Sequence, residues 1–144
     1  MSRARAVTAG AVAAVVWAMQ EPLDQLLLRC DYSDVAVLGK GVTRGAHWRR
    51  VGLALHVLNG ALFGLTFHGA HLRVRVGPRR LALGMALAEH VALYPLCYVV
   101  DRHHPASGER GVPPLLTNPR AFVQATWRHA LFGIVLGRLA ARAA

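Results

Sequence analysis

The amino-acid sequence predicts an all-α integral membrane protein, an antiparallel four-transmembrane-helix bundle. Four apolar stretches carry this prediction, because each contains about 20 residues, the length that a helix needs to cross the hydrocarbon core. Composition agrees: the 144 residues are 54% hydrophobic and 17% charged, whereas soluble domains have about 25% charged residues. A soluble bundle is the alternative, but its helices would be shorter and amphipathic. The predicted spans, which form one transmembrane domain over residues 1–144, are 6–28, 51–72, 81–100 and 121–140.

The first stretch is interrupted by a polar segment near its end. Pro22 cannot donate a backbone hydrogen bond to the preceding turn, so a kink or a break is expected there. Glu21 and Asp24 are three positions apart and therefore share one helix face. Two carboxylates on one face can bind a cation or share a proton. In the alternative interpretation the span ends near Gln20 and both acids lie among the lipid headgroups.

The connection from Arg29 to Arg50 is rich in glycine and charge. It shows neither strand nor helix periodicity, so an irregular loop is expected. Within it, Tyr32-Ser33-Asp34 is interpreted as the cap of a turn.

Two cysteines, Cys30 and Cys97, lie at the ends of the first and third stretches. The antiparallel topology brings both ends to one side of the membrane, so a disulfide is geometrically allowed. We favour two free thiols, because the residues are not in a C-x-x-C arrangement.

The second stretch carries a polar face and a glycine face. His56 and Asn59 are three positions apart, while Gly60 and Gly64 have the small-x-x-x-small spacing that brings helices into close contact. His56 is either a hydrogen-bonding packing residue or a ligand or proton carrier. The glycine face is expected to pack on another helix or on a second copy of the chain.

The third stretch has Glu89 and His90 near its middle. Adjacent residues on a helix point about 100° apart, so these two side chains address different neighbours. Tyr94 follows one turn after His90 and can form hydrogen bonds in the same region. An unpaired carboxylate inside a membrane is costly, so Glu89 is expected either to have a basic partner or to be protonated.

The fourth stretch supplies that partner. Arg128 stays charged and needs a carboxylate inside the membrane, so an ion pair between Arg128 and Glu89 is predicted, and its role can be purely structural. His129 adjoins Arg128, and Gly133 and Gly137 form a second close-packing face for a helix or for a second copy of the chain.

The net charge of +10 is explained by membrane topology. Nucleic acid is not expected as a partner, because the basic residues cluster at span ends, where they set orientation. Arg3 and Arg5 precede an apolar run as in a signal peptide, but no small-residue cleavage site follows. We expect a multi-pass protein of the cytoplasmic (inner) membrane with both termini in the cytoplasm. Anionic headgroups are expected to contact the arginines of the second connection: Arg73, Arg75, Arg79 and Arg80.

The polar residues of the four stretches fall at similar depth when about 1.5 Å is counted per residue. They define a predicted polar intramembrane site in one leaflet: Glu21, Asp24, His56, Asn59, Glu89, His90, Tyr94, Arg128 and His129. Such a site can bind or relay protons or a small polar solute, and this is the predicted function.

Two other functions stay open. A metal- or haem-dependent membrane enzyme is the first, with His56, Glu89 and His129 as candidate metal ligands, or His56 and His129 as haem ligands. No Glu-x-x-His pair supports it. The second is a non-catalytic assembly or scaffold protein. The general pattern resembles small bacterial four-span membrane proteins, and no catalytic residue stands out.

Overall fold

The structure, a computed structural model, describes residues 1–142. It is helical, and no strand occurs within that range, which confirms the all-α prediction. The elements are α1 (Arg3–Leu28), α2 (Asp34–Val42), α3 (Trp48–His71), α4 (Pro78–Leu93), a 3-10 turn (Tyr94–Leu96), α5 (Cys97–His103) and α6 (Pro119–Arg142).

Three helical segments are long and apolar enough to cross a membrane. They are α1, α3 and the segment Pro78–His103, which contains α4, the 3-10 turn and α5. Each contains an 18-residue window of high mean hydropathy, 1.3, 1.4 and 1.5 respectively. These segments support the prediction of a membrane protein. Helix α6 has 24 residues but does not belong to this group, because polar residues such as Gln124, Arg128 and His129 lower its hydropathy. The fourth predicted span is therefore not confirmed.

Beside a hydrophobic core, this fold buries charged and polar side chains and exposes large apolar ones. Arg128 and Gln124 have 0% of their surface exposed, whereas Met19, Leu26 and Leu27 are 76%, 75% and 70% exposed. Large exposed apolar surfaces are unfavourable in water and favourable in lipid. The polar interior and apolar exterior therefore agree with a membrane environment.

Helix α1 begins at the N-cap Ser2, whose side chain accepts a hydrogen bond from the Arg5 N–H, and it continues through Pro22 to Leu28. The helix is therefore not broken at Pro22 and does not end near Gln20. A kink at Pro22 and the position of the two acids relative to the headgroups stay predictions. Glu21 and Asp24, on either side of the proline, are both buried.

The first connection contains a helix, α2, where an irregular loop was expected. Ser33 caps it by accepting a hydrogen bond from the Ala36 N–H. The glycines of this segment serve close packing: a Cβ atom at Gly39 would lie 2.0 Å from the carbonyl oxygen of Trp48. Glycine was interpreted as a loop signal, but here it lets α2 lie directly against α3.

The long helices pack in the order α3, α1, α6, α4. Glycine sets the contact between α1 and α3, since a Cβ atom at Gly10 would lie 2.1 Å from the carbonyl oxygen of Gly60. A Cβ atom at Gly133 would lie 2.7 Å from the Cα atom of Leu83 on α4. The Gly60/Gly64 and Gly133/Gly137 faces thus contact other helices of the same chain, as one of the two interpretations of the glycine spacing predicted.

Candidate functional site

Arg128 is the centre of a buried polar cluster. Its Nε and Nη2 atoms donate to the two carboxylate oxygens of Asp24 at 2.7 and 2.6 Å. Its Nη1 atom donates to Asp34 at 2.8 Å and lies 3.6 Å from Glu21. We call Arg128 with Glu21, Asp24 and Asp34 the carboxylate cluster. The paired contact with Asp24 is the geometry in which an arginine binds a carboxylate most strongly.

Three helices bring the cluster together. Glu21 and Asp24 occupy the face of α1 that turns towards α6, as their spacing of three residues requires. Asp34 is the first residue of α2, which starts just after α1 ends. Gln124 lies one turn before Arg128 on α6, and its amide donates to Asp24 at 2.6 Å and to the carbonyl of Cys30 at 3.1 Å.

Each carboxylate also accepts hydrogen bonds from donors other than Arg128. The amide of Gln20 donates to Asp24 at 2.7 Å. Glu21 accepts the Ser33 hydroxyl at 2.6 Å and the backbone N–H of Asp34 at 3.0 Å. Asp34 accepts the indole N–H of Trp17 at 3.0 Å. Buried carboxylates of this kind are stable only when such donors surround them.

The cluster holds more acid than base. Three carboxyl groups surround one guanidinium, and a buried excess of negative charge is unfavourable. Burial raises the pKa of Asp34 but the charge of Arg128 lowers it, and the net pKa lies below its usual value. Asp34 therefore stays ionised. Glu21, which has the longest contact with Arg128, is the member best placed to hold a proton.

A row of aromatic rings runs beside the cluster. The ring of Trp17 lies 5.1 Å from that of His56 and 4.7 Å from that of His129, and His129 lies 4.8 Å from His90. Tyr94 ends the row, 5.4 Å from His90. We call these five residues the aromatic row. It crosses from α3 to α4, and the hydrogen bond from Trp17 to Asp34 joins it to the carboxylate cluster.

Seven of the nine predicted site residues therefore lie in the cluster or in the row, and two lie in neither. Asn59 is exposed and Glu89 is partly exposed. The predicted ion pair between Glu89 and Arg128 is wrong. Helix α6 turns Gly133 towards α4, and Arg128 lies five residues earlier, about 140° around the helix axis. The guanidinium consequently faces α1.

Sequence reasoning missed Asp34 and Trp17 as site residues. A signal existed for Asp34, because Ser33-Asp34 before an apolar segment is typical of a helix N-terminus, and that helix brings Asp34 back to the end of α1. No comparable signal existed for Trp17, since a tryptophan in an apolar run normally indicates only packing.

The candidate metal and haem ligands are not assembled. Among residues 1–142, no group of three or more His, Cys, Asp or Glu side chains is arranged to hold a metal ion. A haem between His56 and His129 would need the space that the Trp17 ring occupies, since that ring contacts both imidazoles. Both cysteines, Cys30 and Cys97, are free.

Two openings adjoin the site. A crevice of about 470 Å³ is lined by Arg29, Cys30, Asp31, Asn118 and Arg120, among others. It is next to the cluster, because the Cys30 carbonyl accepts the Gln124 amide. A smaller cavity of about 110 Å³ is lined by residues that include Tyr32, His90, Tyr94, Cys97, Leu115 and His129.

Comparison with known protein families, with curated proteins and with solved structures found no match for this chain.

Proposed function

We propose that the protein is a multi-pass membrane protein that relays protons through the carboxylate cluster. The observation that carries this proposal is the convergence of three carboxyl groups on one fully buried guanidinium. Since the acids outnumber the base, binding of a proton by Glu21 reduces the excess negative charge of the cluster. Release of that proton restores the negative charge. The hydroxyl of Ser33, 2.6 Å from Glu21, is the nearest group through which that proton can pass.

The proposal includes α6 as a fourth membrane span. Its polar residues Gln124 and Arg128 are buried against α1, whereas Phe122, Val123 and Trp127 are 40%, 51% and 48% exposed. A helix with polar groups inside and apolar groups outside suits a lipid environment even when its average hydropathy is low.

The proposed orientation places both termini in the cytoplasm of a bacterial cell, with the protein in the inner membrane. Support comes from the exposed arginines at one end of the bundle, which can contact anionic headgroups there: Arg73, Arg75, Arg79 and Arg80. Glu21 and Asp24 lie towards the end of α1 that is remote from Arg3, so the cluster belongs to the opposite leaflet.

Proton flux into proteoliposomes tests this function. Vesicles that enclose a pH-sensitive dye are given a potassium gradient and valinomycin, which makes their interior negative. Wild-type protein should acidify the interior faster than empty vesicles do, and Glu21→Gln should reduce the rate to background. Glu109→Gln is the matched control, because Glu109 is an exposed carboxylate that pairs with Lys40 and Arg44 outside the cluster. A wild-type rate equal to that of empty vesicles refutes the proton relay.

A scaffold role is the second candidate, because the cluster joins α1, α2 and α6 and its carboxylates receive donors from all sides. The same variants distinguish the two roles. In a scaffold, Glu21→Gln changes the thermal unfolding temperature while wild-type vesicles conduct no protons.

A further inference from the structure

The 110 Å³ cavity is lined by apolar side chains and by a few polar ones that can accept hydrogen bonds, and the first of these is His90. The Nε2 atom of His90 lies 2.9 Å from the hydroxyl oxygen of Thr126, and that hydroxyl donates its proton to the Phe122 carbonyl at 2.8 Å. Since that hydroxyl has one proton to donate, Nε2 of His90 is the donor when Thr126 donates to Phe122. In the neutral ring, Nδ1 of His90 then carries a free lone pair.

The same reasoning fixes the tautomer of His129. Its Nδ1 atom lies 2.8 Å from the carbonyl oxygen of Ala125, which can only accept. Nδ1 therefore carries the proton, and Nε2 of His129 is an acceptor. Neither of these acceptor nitrogens takes part in the hydrogen bonds that hold the two rings, and both rings line the cavity.

The two tyrosines of the cavity also use their protons elsewhere. Tyr94 donates to the Leu115 carbonyl at 2.7 Å, and Tyr32 donates to Asp34. Their oxygens thus offer lone pairs, and the thiol of Cys97 is a weak donor. No lysine or arginine is among the lining residues. A ligand that satisfies this cavity must bring its own N–H or O–H groups.

Charge and shape narrow the class of ligand. Tyr32 lies between the cavity and the carboxylate cluster, and the Arg128 guanidinium lies over its ring, 5.0 Å from the centroid. The three carboxyl groups of the cluster outnumber that one guanidinium, so the net charge on this side of the cavity favours a cation. The volume is smaller than the roughly 150 Å³ cavity that accommodates benzene, which limits the ligand to a few heavy atoms. We propose that the cavity binds a small primary ammonium cation, whose N–H groups donate to His90 and His129.

Nuclear magnetic resonance of protein labelled with ¹⁵N at histidine tests the site. Methylammonium chloride is added at about pH 8, where imidazoles are mostly neutral and alkylammonium groups stay charged. A saturable shift of the unprotonated nitrogens of His90 and His129 is expected. Tetramethylammonium chloride has the same charge without N–H donors and should produce no such shift. Equal responses to both salts, or no saturable response, overturn the proposal.

Variants make the test specific to the cavity. Replacing one acceptor in His129→Phe should weaken methylammonium binding about ten-fold or more, whereas His68→Phe, the same change outside the cavity, should not. Tyr94→Phe is the second variant, for use if His129→Phe does not fold. It keeps the ring but removes the phenol oxygen, and it should weaken methylammonium binding less than His129→Phe does. Undiminished binding in both cavity variants refutes the site. The result is independent of the proton-flux experiment, since either site can fail alone.

Discussion

Replacing Arg128 by methionine is the sharpest test of the structure. The change keeps an unbranched side chain of similar length but removes the hydrogen bonds to Asp24 at 2.7 and 2.6 Å and to Asp34 at 2.8 Å. It leaves buried carboxylates without their positive partner. Breaking a buried ion pair from one side costs about 3–5 kcal/mol. Arg128→Met should therefore lower the free energy of unfolding by that amount, measured by chemical denaturation in detergent.

A second change decides which carboxylate is the partner. Adding Asp24→Leu to Arg128→Met removes the carboxylate that made the paired contact with the guanidinium. It should recover part of the loss, because a buried pair can often be replaced by apolar residues at little cost. Adding Glu89→Leu to Arg128→Met should recover none of the lost stability, because the ion-pair partners of Arg128 are Glu21, Asp24 and Asp34. A loss within about 0.5 kcal/mol for Arg128→Met, or recovery with Glu89→Leu, refutes the reasoning.

Two further predictions concern helix packing and pH. Gly10→Ala should destabilise the protein, because the new Cβ atom would lie 2.1 Å from the Gly60 carbonyl oxygen. Gly84→Ala is the control: a Cβ atom there would have nothing within 4 Å, so this change should be neutral or stabilising by up to about 1 kcal/mol. Equal unfolding temperatures of the two variants would contradict this prediction. Hydrogen bonds led by that from Arg44 lower the pKa of Glu109, so their stabilisation is present above the unfolded-state pKa and lost as pH falls through the folded-state pKa. Wild type should exceed Glu109→Gln in unfolding temperature at neutral pH, and the difference should vanish in acid; a difference that persists in acid would show another cause.

Several features of the fold and site were predictable because they depend on local spacing. Apolar length predicted three helices that the structure contains. The spacing of Glu21 and Asp24 predicted a shared face, and both side chains contact Arg128. The glycine pattern at Gly60 predicted close helix contact, which occurs with α1. Such periodicities follow from helix geometry alone.

Other features were not predictable in this way. The glycines of α2 looked like loop residues, since nothing local distinguishes a flexible glycine from one that admits a neighbouring helix. The burial of the polar residues of α6 was not predictable either, because only the tertiary structure shows that Gln124 and Arg128 are covered by α1.

The sequence by itself determined the helical class, the long apolar segments and which residues share a helix face, because these depend on length, composition and a period of about 3.6 residues. The tertiary structure decided which faces meet. Arg128 has acidic candidates on α1, α2 and α4, and only the rotation of α6 about its axis selects Asp24 and Asp34 over Glu89. That rotation is set by glycine contacts between helices far apart in the chain, which no local pattern contains.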